Sequence, residues 1–167
     1  MMKTLLLLRH AKAEPEAAGG DHERALTPRG RQDAAATGRI LAELRLPIDL
    51  IVSSDARRAR ETAEIVANVT GWPDALTLEP RIYGASVGAL LDVIHTLPES
   101  SACALLVGHN PGFADLAAVL CNATPASLHL PTASIAHLEI DHGSWRDVQP
   151  GSAHLRAMLR GRKSADS

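Results

Sequence analysis

Aromatic residues are nearly missing from this chain: Phe113, Trp72, Trp145 and Tyr83 are the full set, 2% of 167 residues. A core must therefore be packed from Leu, Ala, Val and Ile, and exposed stacking platforms for single-stranded nucleic acid are not on offer. Cysteine is equally scarce. Cys103 and Cys121 have no Cys-x-x-Cys spacing, so both read as small buried apolar residues rather than as metal ligands. Long apolar runs are lacking too: the run after Lys3 is four leucines, far short of a signal-peptide core, and no stretch approaches the ~20 residues of a membrane span. A formal charge of −2 gives no electrostatic reason to expect nucleic acid or an anionic membrane as partner. The expectation is a cytoplasmic protein whose cationic chemistry, if it has any, is local.

What is present is ordinary in bulk and specific in detail. Apolar residues at 46%, charged residues at 22% and a length of 167 fit one globular domain over residues 1–167 with a real core. The four leucines Leu5 to Leu8 read as a strand buried on both faces that stops on Arg9 and His10. In open α/β sheets ligands bind off the carboxyl ends of the strands, so these two side chains stand where a site is expected. Residues 11–24, with Pro15 and Gly19-Gly20, have no hydrophobic period and read as a surface loop. Thr27-Pro28 then starts a helix with an apolar stripe of Ala36, Ile40, Leu41 and Leu44, closed by Pro47.

The pattern then repeats. Residues 48–53 form a second strand, ending in Ser53, Ser54 and Asp55, with Asp55 or Ser54 as cap of a helix that Gly71 terminates. Residues 76–78 make a short edge strand, and Ser86 caps a third helix ended by Pro98. Residues 103–107 are a buried strand, and Gly108-His109-Asn110-Pro111-Gly112 turns from it into a helix through Leu120. Residues 134–140 and 145–148 read as a hairpin around Asp141-His142-Gly143-Ser144, the tail from Ser152 as a short helix through Leu159, and 163–167 as a frayed end. The fold class is α/β: a three-layer sandwich, its central sheet mainly parallel with helices on both faces and one antiparallel strand from residues 134–148.

Three strand ends thus carry Arg9 with His10, Ser54 with Arg58 four residues on, and His109. Strands ending in one layer would gather two imidazoles and at least two guanidiniums. Arginine presents fixed, bidentate donors to phosphate oxygens, and charge stabilisation is most of what phosphoryl transfer asks of a protein.

At this point the chain resembles the histidine phosphatase superfamily, specifically the small SixA-like phosphohistidine phosphatases. The motifs run in order: Leu8-Arg9-His10-Ala11, Arg24-x-Leu26-Thr27-x-x-Gly30, Ser54-x-x-x-Arg58-Ala59-x-x-Thr62, Gly108-His109-Asn110-Pro111 and Thr132-Ala133-Ser134. The resemblance implies a compact phosphoglycerate-mutase-like fold without an inserted cap domain. It implies His10 as nucleophile, Arg9, Arg24 and Arg58 as phosphate ligands, and His109 as the second pocket histidine, with Arg9, His10, Arg58 and His109 forming the catalytic set. No cofactor and no metal is expected. Ala11 departs from the glycine common in the wider superfamily, and no acidic residue matches the general acid of its larger members; Glu79, Glu14 and Asp21 stay open as proton donors. An acceptor on one ring nitrogen of His10 would fix its tautomer, while His109, protonated or as an N–H donor, would stabilise the transferring oxygens.

The remaining candidates read as structural. His22, His95, His129, His137, His142 and His154 are surface or packing residues; the Arg-Ala-x-x-Thr register favours Arg58 over Arg57; Arg29, Arg31 and Arg60 are solvated helix-face charges; Thr132 and Ser134 cap or start a strand as readily as they line a pocket. The expected function is a metal-independent phosphatase acting on phosphohistidine in a protein through a phosphohistidine enzyme intermediate, releasing phosphate ion. The alternatives are a phosphomonoesterase acting on a small phosphorylated metabolite and a catalytically silent phosphate-binding module.

Overall fold

The computed structural model describes residues 2–124, 127–141 and 143–161. Its centre is a six-stranded sheet. The strands in chain order are β1 (Lys3–Arg9), β2 (Leu50–Ser53), β3 (Leu76–Leu78), β4 (Cys103–Gly108), β5 (Ser134–Ile140) and β6 (Ala153–Arg160), and they lie in the order β3-β2-β4-β1-β5-β6. β3, β2, β4 and β1 are mutually parallel; β5 runs antiparallel to β1, and β6 antiparallel to β5. The helices are α1 (Pro28–Leu44), α2 (Arg57–Thr70), α3 (Val87–His95) and α4 (Gly112–Leu120).

The four leucines of β1 show how the layers are held. All are fully buried, and the two-residue period of a strand sends them alternately to opposite faces. Leu5 and Leu7 join Leu90, Val93 and Ile94 of α3 and Phe113, Leu116 and Leu120 of α4. Leu6 and Leu8 join Leu41 of α1 and Ala59, Ala63 and Val66 of α2. A strand that must be apolar on both faces is what a continuous leucine run encodes, and it yields the expected three layers.

The local signals for helix ends operate as read. Thr27 accepts a hydrogen bond from the Gly30 N–H at 2.9 Å with Pro28 at the first helical position. Ser86 accepts from Ala89 N–H at 3.2 Å, and Gly71 closes α2 in the left-handed conformation at φ 84°. Two readings are corrected here. Of the expected α1 stripe, Ala36 and Leu41 are buried, but Leu44 is exposed and Ile40 half-buried, and the rest of the buried face is Gly30, Ala34, Thr37 and Gly38. The cause is close approach to α2: a Cβ at Gly38 would stand 3.0 Å from Val69, so small residues rather than large ones mark the contact. Neither Asp55 nor Ser54 caps α2, whose N-cap is Ala56; both side chains are engaged elsewhere, as described below.

The C-terminal region departs furthest from expectation. Residues 145–148 are not a strand, because Trp145 sinks fully into the core and donates its indole N–H to the Ser101 carbonyl at 2.9 Å. The hairpin partner of β5 is β6, in the segment read as a helix: its helix-favouring Leu, Ala, Met and Arg are overridden by pairing with β5. The sheet therefore has two antiparallel strands rather than one. His142 and the tail expected over 163–167 lie outside the described residues.

Candidate active site

Parallel pairing of β1 with β4 aligns Arg9 with Gly108, so the next residue of each strand, His10 and His109, leaves the sheet beside the other. Their ring centroids are 5.2 Å apart. The backbone reinforces the alignment, with His10 N–H donating to Gly108 O at 3.0 Å and Ser54 N–H to Val107 O at 2.9 Å. Strand order β2-β4-β1 thereby sets Ser54, His109 and His10 in a row, and the first turn of α2 brings Arg58 over them.

His10 is 9% exposed, and its Nδ1–H donates to the Ala11 carbonyl at 2.7 Å. That bond assigns the proton to Nδ1 and leaves the Nε2 lone pair as the reactive one. Burial, reinforced by the cations of Arg58, Arg9 and Arg24, pushes the imidazole down to about 4, so it is neutral at pH 7. The acceptor is itself pinned: Ala11 N–H donates to Thr62 Oγ1 at 3.0 Å, and Thr62 donates to the Arg58 carbonyl at 2.7 Å. Thr62, the last residue of the Arg58 motif, therefore ties α2 to the peptide that orients His10. Ala11 is fully buried and is absent from the positive-φ residues, so its methyl group fits where glycine is otherwise common.

His109 is also held neutral, pushed down to about 3 by burial, with His10 and Arg58 adding to the effect. Of its two expected states, the structure thus favours the neutral one. Its Nε2 lies 2.8 Å from Ser54 Oγ, which also accepts from the N–H of Ala56, the N-cap of α2, at 3.2 Å. Arg58, with a side chain only 8% exposed, donates to the Asp21 carbonyl at 2.9 Å and to Asp21 Oδ2 at 3.1 Å. Arg24 donates to the Glu14 carbonyl at 2.6 Å and to Asp21 Oδ1 at 2.9 Å. Arg9 reaches the Leu130 carbonyl at 3.2 Å, which Asn110 also holds at 2.8 Å. Among the described residues, three buried side-chain nitrogens have no partner: Arg9 Nε, Arg58 Nε and His109 Nδ1. All three belong to this one pocket, and an orphaned buried donor costs about 1–3 kcal/mol, which an anionic ligand would recover.

Other sequence candidates separate cleanly. Arg57 is solvated and 3.6 Å from Glu61, so the choice falls on Arg58. Arg29, Arg31 and Arg60 pair with Asp33, Glu61 and Glu64 on helix surfaces. Ser134 bonds the Pro131 carbonyl and opens β5. Glu79 accepts from Arg81 Nε at 2.9 Å and from the Arg81 N–H at 3.0 Å, which holds its carboxyl below the usual range. Glu14 reaches the site through its backbone carbonyl.

The rim of the pocket brings together residues that are distant in sequence. Residues 11–24 do not stand clear of the pocket: their end, the short 3-10 turn Asp21–Glu23, folds across it. Asp21 accepts from Tyr83 Oη at 2.5 Å, and that bond, with Arg24 and Arg58, keeps its carboxyl well below the usual range. Asp21 is thus a counter-anion for two arginines and not a proton donor. His22 stands edge-on to Tyr83 at 4.9 Å between ring centroids, and Tyr83 edge-on to His109 at 5.6 Å. Asp21 was an open candidate as proton donor, His22 had only its nearness to Arg24, and Tyr83 had no signal, because their meeting is made by two separate loops. Beside His109 a cleft of about 240 Å³ runs between Gly84, Ala85, Ser86, Asn110 and Gly112.

Comparison with known proteins follows the same lines. Residues 5–90 match the family model of the histidine phosphatase superfamily, branch 1. An uncharacterized protein of Mycobacterium tuberculosis, Rv1276c, is 35% identical over 156 residues, which cover 89% of this chain and 96% of that protein. GpmB of Erwinia tasmaniensis, named a probable phosphoglycerate mutase, is 31% identical over 180 residues, 95% of this chain and 81% of its own. The solved structure of SixA from Nakamurella multipartitia superposes with a TM-score of 0.81 at 28% identity, covering 96% of this chain and 97% of that one.

Proposed function

The chain belongs to the histidine phosphatase superfamily and is SixA-like within it, and from that premise we propose that it hydrolyses phosphohistidine on a protein through a phosphohistidine intermediate at His10. The observation that carries the nucleophile is the bond from His10 Nδ1 to the Ala11 carbonyl at 2.7 Å, which leaves Nε2 unprotonated and free to attack. In this reading Nε2 bonds to phosphorus as the substrate's P–N bond breaks, and water then displaces His10 to release phosphate. Splitting the transfer replaces one difficult step by two easier ones. Arg9, Arg24 and Arg58 hold the phosphoryl oxygens, and neutral His109 supports them through a ring N–H. No step in this reading calls on a metal.

The state of the carboxyl groups supports this substrate class. An alkyl phosphate needs its leaving oxygen protonated, yet Asp21 is held ionised by Tyr83 with Arg24 and Arg58, and Glu79 by Arg81. A phosphoramidate asks less, because its P–N bond is labile once the ring is protonated. The competing reading is a small phosphoester, and the cleft of about 240 Å³ beside His109 favours it, together with the kinship to GpmB. A substrate panel separates the two. At equal concentration, kcat/KM for a phosphohistidine protein is expected to exceed that for phosphoserine peptides, phosphotyrosine peptides and sugar phosphates; a small ester faster than every phosphohistidine protein overturns the assignment.

A further inference from the structure

The scheme above leaves the departing group without a proton source, and the rim of the pocket supplies one. We propose that His22, oriented by Asp55 at the pocket mouth, is the general acid that protonates the leaving group. This rests on the reading of the site as a histidine phosphatase; with His22 as donor the ionised carboxyls no longer disfavour an ester, so the choice of substrate passes to the substrate panel, and the test of His22 is chosen to be independent of it.

The geometry has three parts. His22 follows Asp21, whose carboxylate and carbonyl are bonded to Arg58, so its backbone is fixed one residue from a phosphate ligand. Its Nε2 is 3.0 Å from Asp55 Oδ1, while its Nδ1 is 3.3 Å from Glu23 Oε1 in an exposed pairing. Its side chain is 37% exposed, so an incoming substrate can touch the ring. Two consecutive residues at the end of β2 thus anchor two imidazoles: Ser54 holds His109 and Asp55 holds His22. Asp55 fixes the ring through Nε2, and the weakly held Nδ1 proton is the one free to be handed on.

Elimination points to the same ring. His10 and His109 are neutral at pH 7, whereas Asp21 and Glu79 are ionised. Tyr83 is tied to Asp21, which raises its hydroxyl further from neutrality. The groups around His22 are Asp55 at the start of α2, Glu23 on its own turn, Tyr83 from the loop before α3, and His109 beyond that ring, with Arg58 over Tyr83 at 5.9 Å. The bond to Asp55, with Glu23 behind it, raises the His22 imidazole above its ordinary value. It is the pocket group favoured to carry a transferable proton near neutral pH.

The proton balance closes over both half-reactions. As the bond from phosphorus to His10 Nε2 forms and the substrate's P–N bond breaks, the His22 proton passes to the other ring nitrogen of the substrate imidazole, which departs neutral with the P–N electron pair on the nitrogen that phosphorus leaves. Neutral His22 then takes a proton from the attacking water as the His10–phosphorus bond breaks, which restores the starting state. An imidazolium donor and an imidazole leaving group have similar intrinsic acidity, about 6.5, which is where proton transfer is most effective.

The test compares wild type, His22→Gln and Asp55→Asn on a series of aryl phosphates of graded leaving-group basicity and on a phosphohistidine protein, each across pH 6 to 9. Positioned acids contribute about 10² to 10⁴ in rate. His22→Gln is expected to lose activity by that order on the most basic leaving groups, with a deficit that shrinks as leaving-group basicity falls, and to lose the basic limb of the pH profile. Asp55→Asn is expected to move that limb down toward the ordinary histidine value. A loss that is uniform across the series, or a basic limb retained in His22→Gln, overturns the proposal. A wild type that turns over the aryl series but no phosphohistidine protein overturns the substrate reading instead, and the leaving-group slope still decides His22.

Discussion

At the residue scale, the proposed reaction gives Arg58 and His10 different work, and substitution should separate them. Arg58→Ala removes a charged donor from the pocket and leaves the nucleophile; the loss expected is on the order of 10² to 10³ in kcat/KM, with the fold unchanged by circular dichroism. A loss below tenfold would assign the phosphoryl group to other ligands. The pH profile offers a second check. Because burial and three arginines depress the His10 imidazole to about 4, kcat/KM should show no acid limb from the nucleophile near 6.5. A nucleophile titrating near 6.5 would mean the pocket is wetter than its geometry. His10, His109 and Arg58 were legible because each ends or follows a strand, and adjacent parallel strands end together. Asp21 was legible only as one of three possible proton donors, and His22 and Tyr83 not at all, since the three meet only when the loop before α1 closes on the loop before α3.

Among the elements, β1 does two jobs: its leucines bind both helical layers, and its last turn of chain presents His10. Truncating Leu6, fully buried beneath α1 and α2, should cost about 2–5 kcal/mol of stability in urea unfolding. A smaller change would show that the face can collapse around the cavity. Continuous apolar runs and helix caps made most elements readable, because their signals are local. The hairpin was misread for the opposite reason. Trp145 is held in the core by Ser101 and its neighbours, and the helix-favouring 153–160 segment pairs with β5, neither of which any window of sequence can express. The stripe of α1 was readable only in part: Ala36 and Leu41 are buried, but Gly38 serves an interhelical contact that hydrophobicity does not score.

Over the whole molecule, keeping two imidazoles neutral couples stability to pH. His10 and His109 titrate lower in the folded chain than in the unfolded one, so the unfolded state takes up protons first. Stability should be full above about 6.5 and fall as pH drops through the window toward 4 and 3; for His10 alone the complete effect is about 3 kcal/mol. Thermal unfolding between pH 7.5 and 4.5 checks it: the melting temperature should decline, and decline less in a His10→Asn, His109→Asn variant. Equal slopes would place the pH sensitivity elsewhere. Activity is expected to persist in EDTA.

The measurement that bears most directly on the account is rapid-quench trapping of the enzyme during turnover of a labelled phosphohistidine protein, with the label located by peptide mass spectrometry. The expected result is an acid-labile, alkali-stable phosphoryl group on His10, absent from His10→Ala, which has no turnover. Label on any other residue, or turnover retained by His10→Ala, would contradict it.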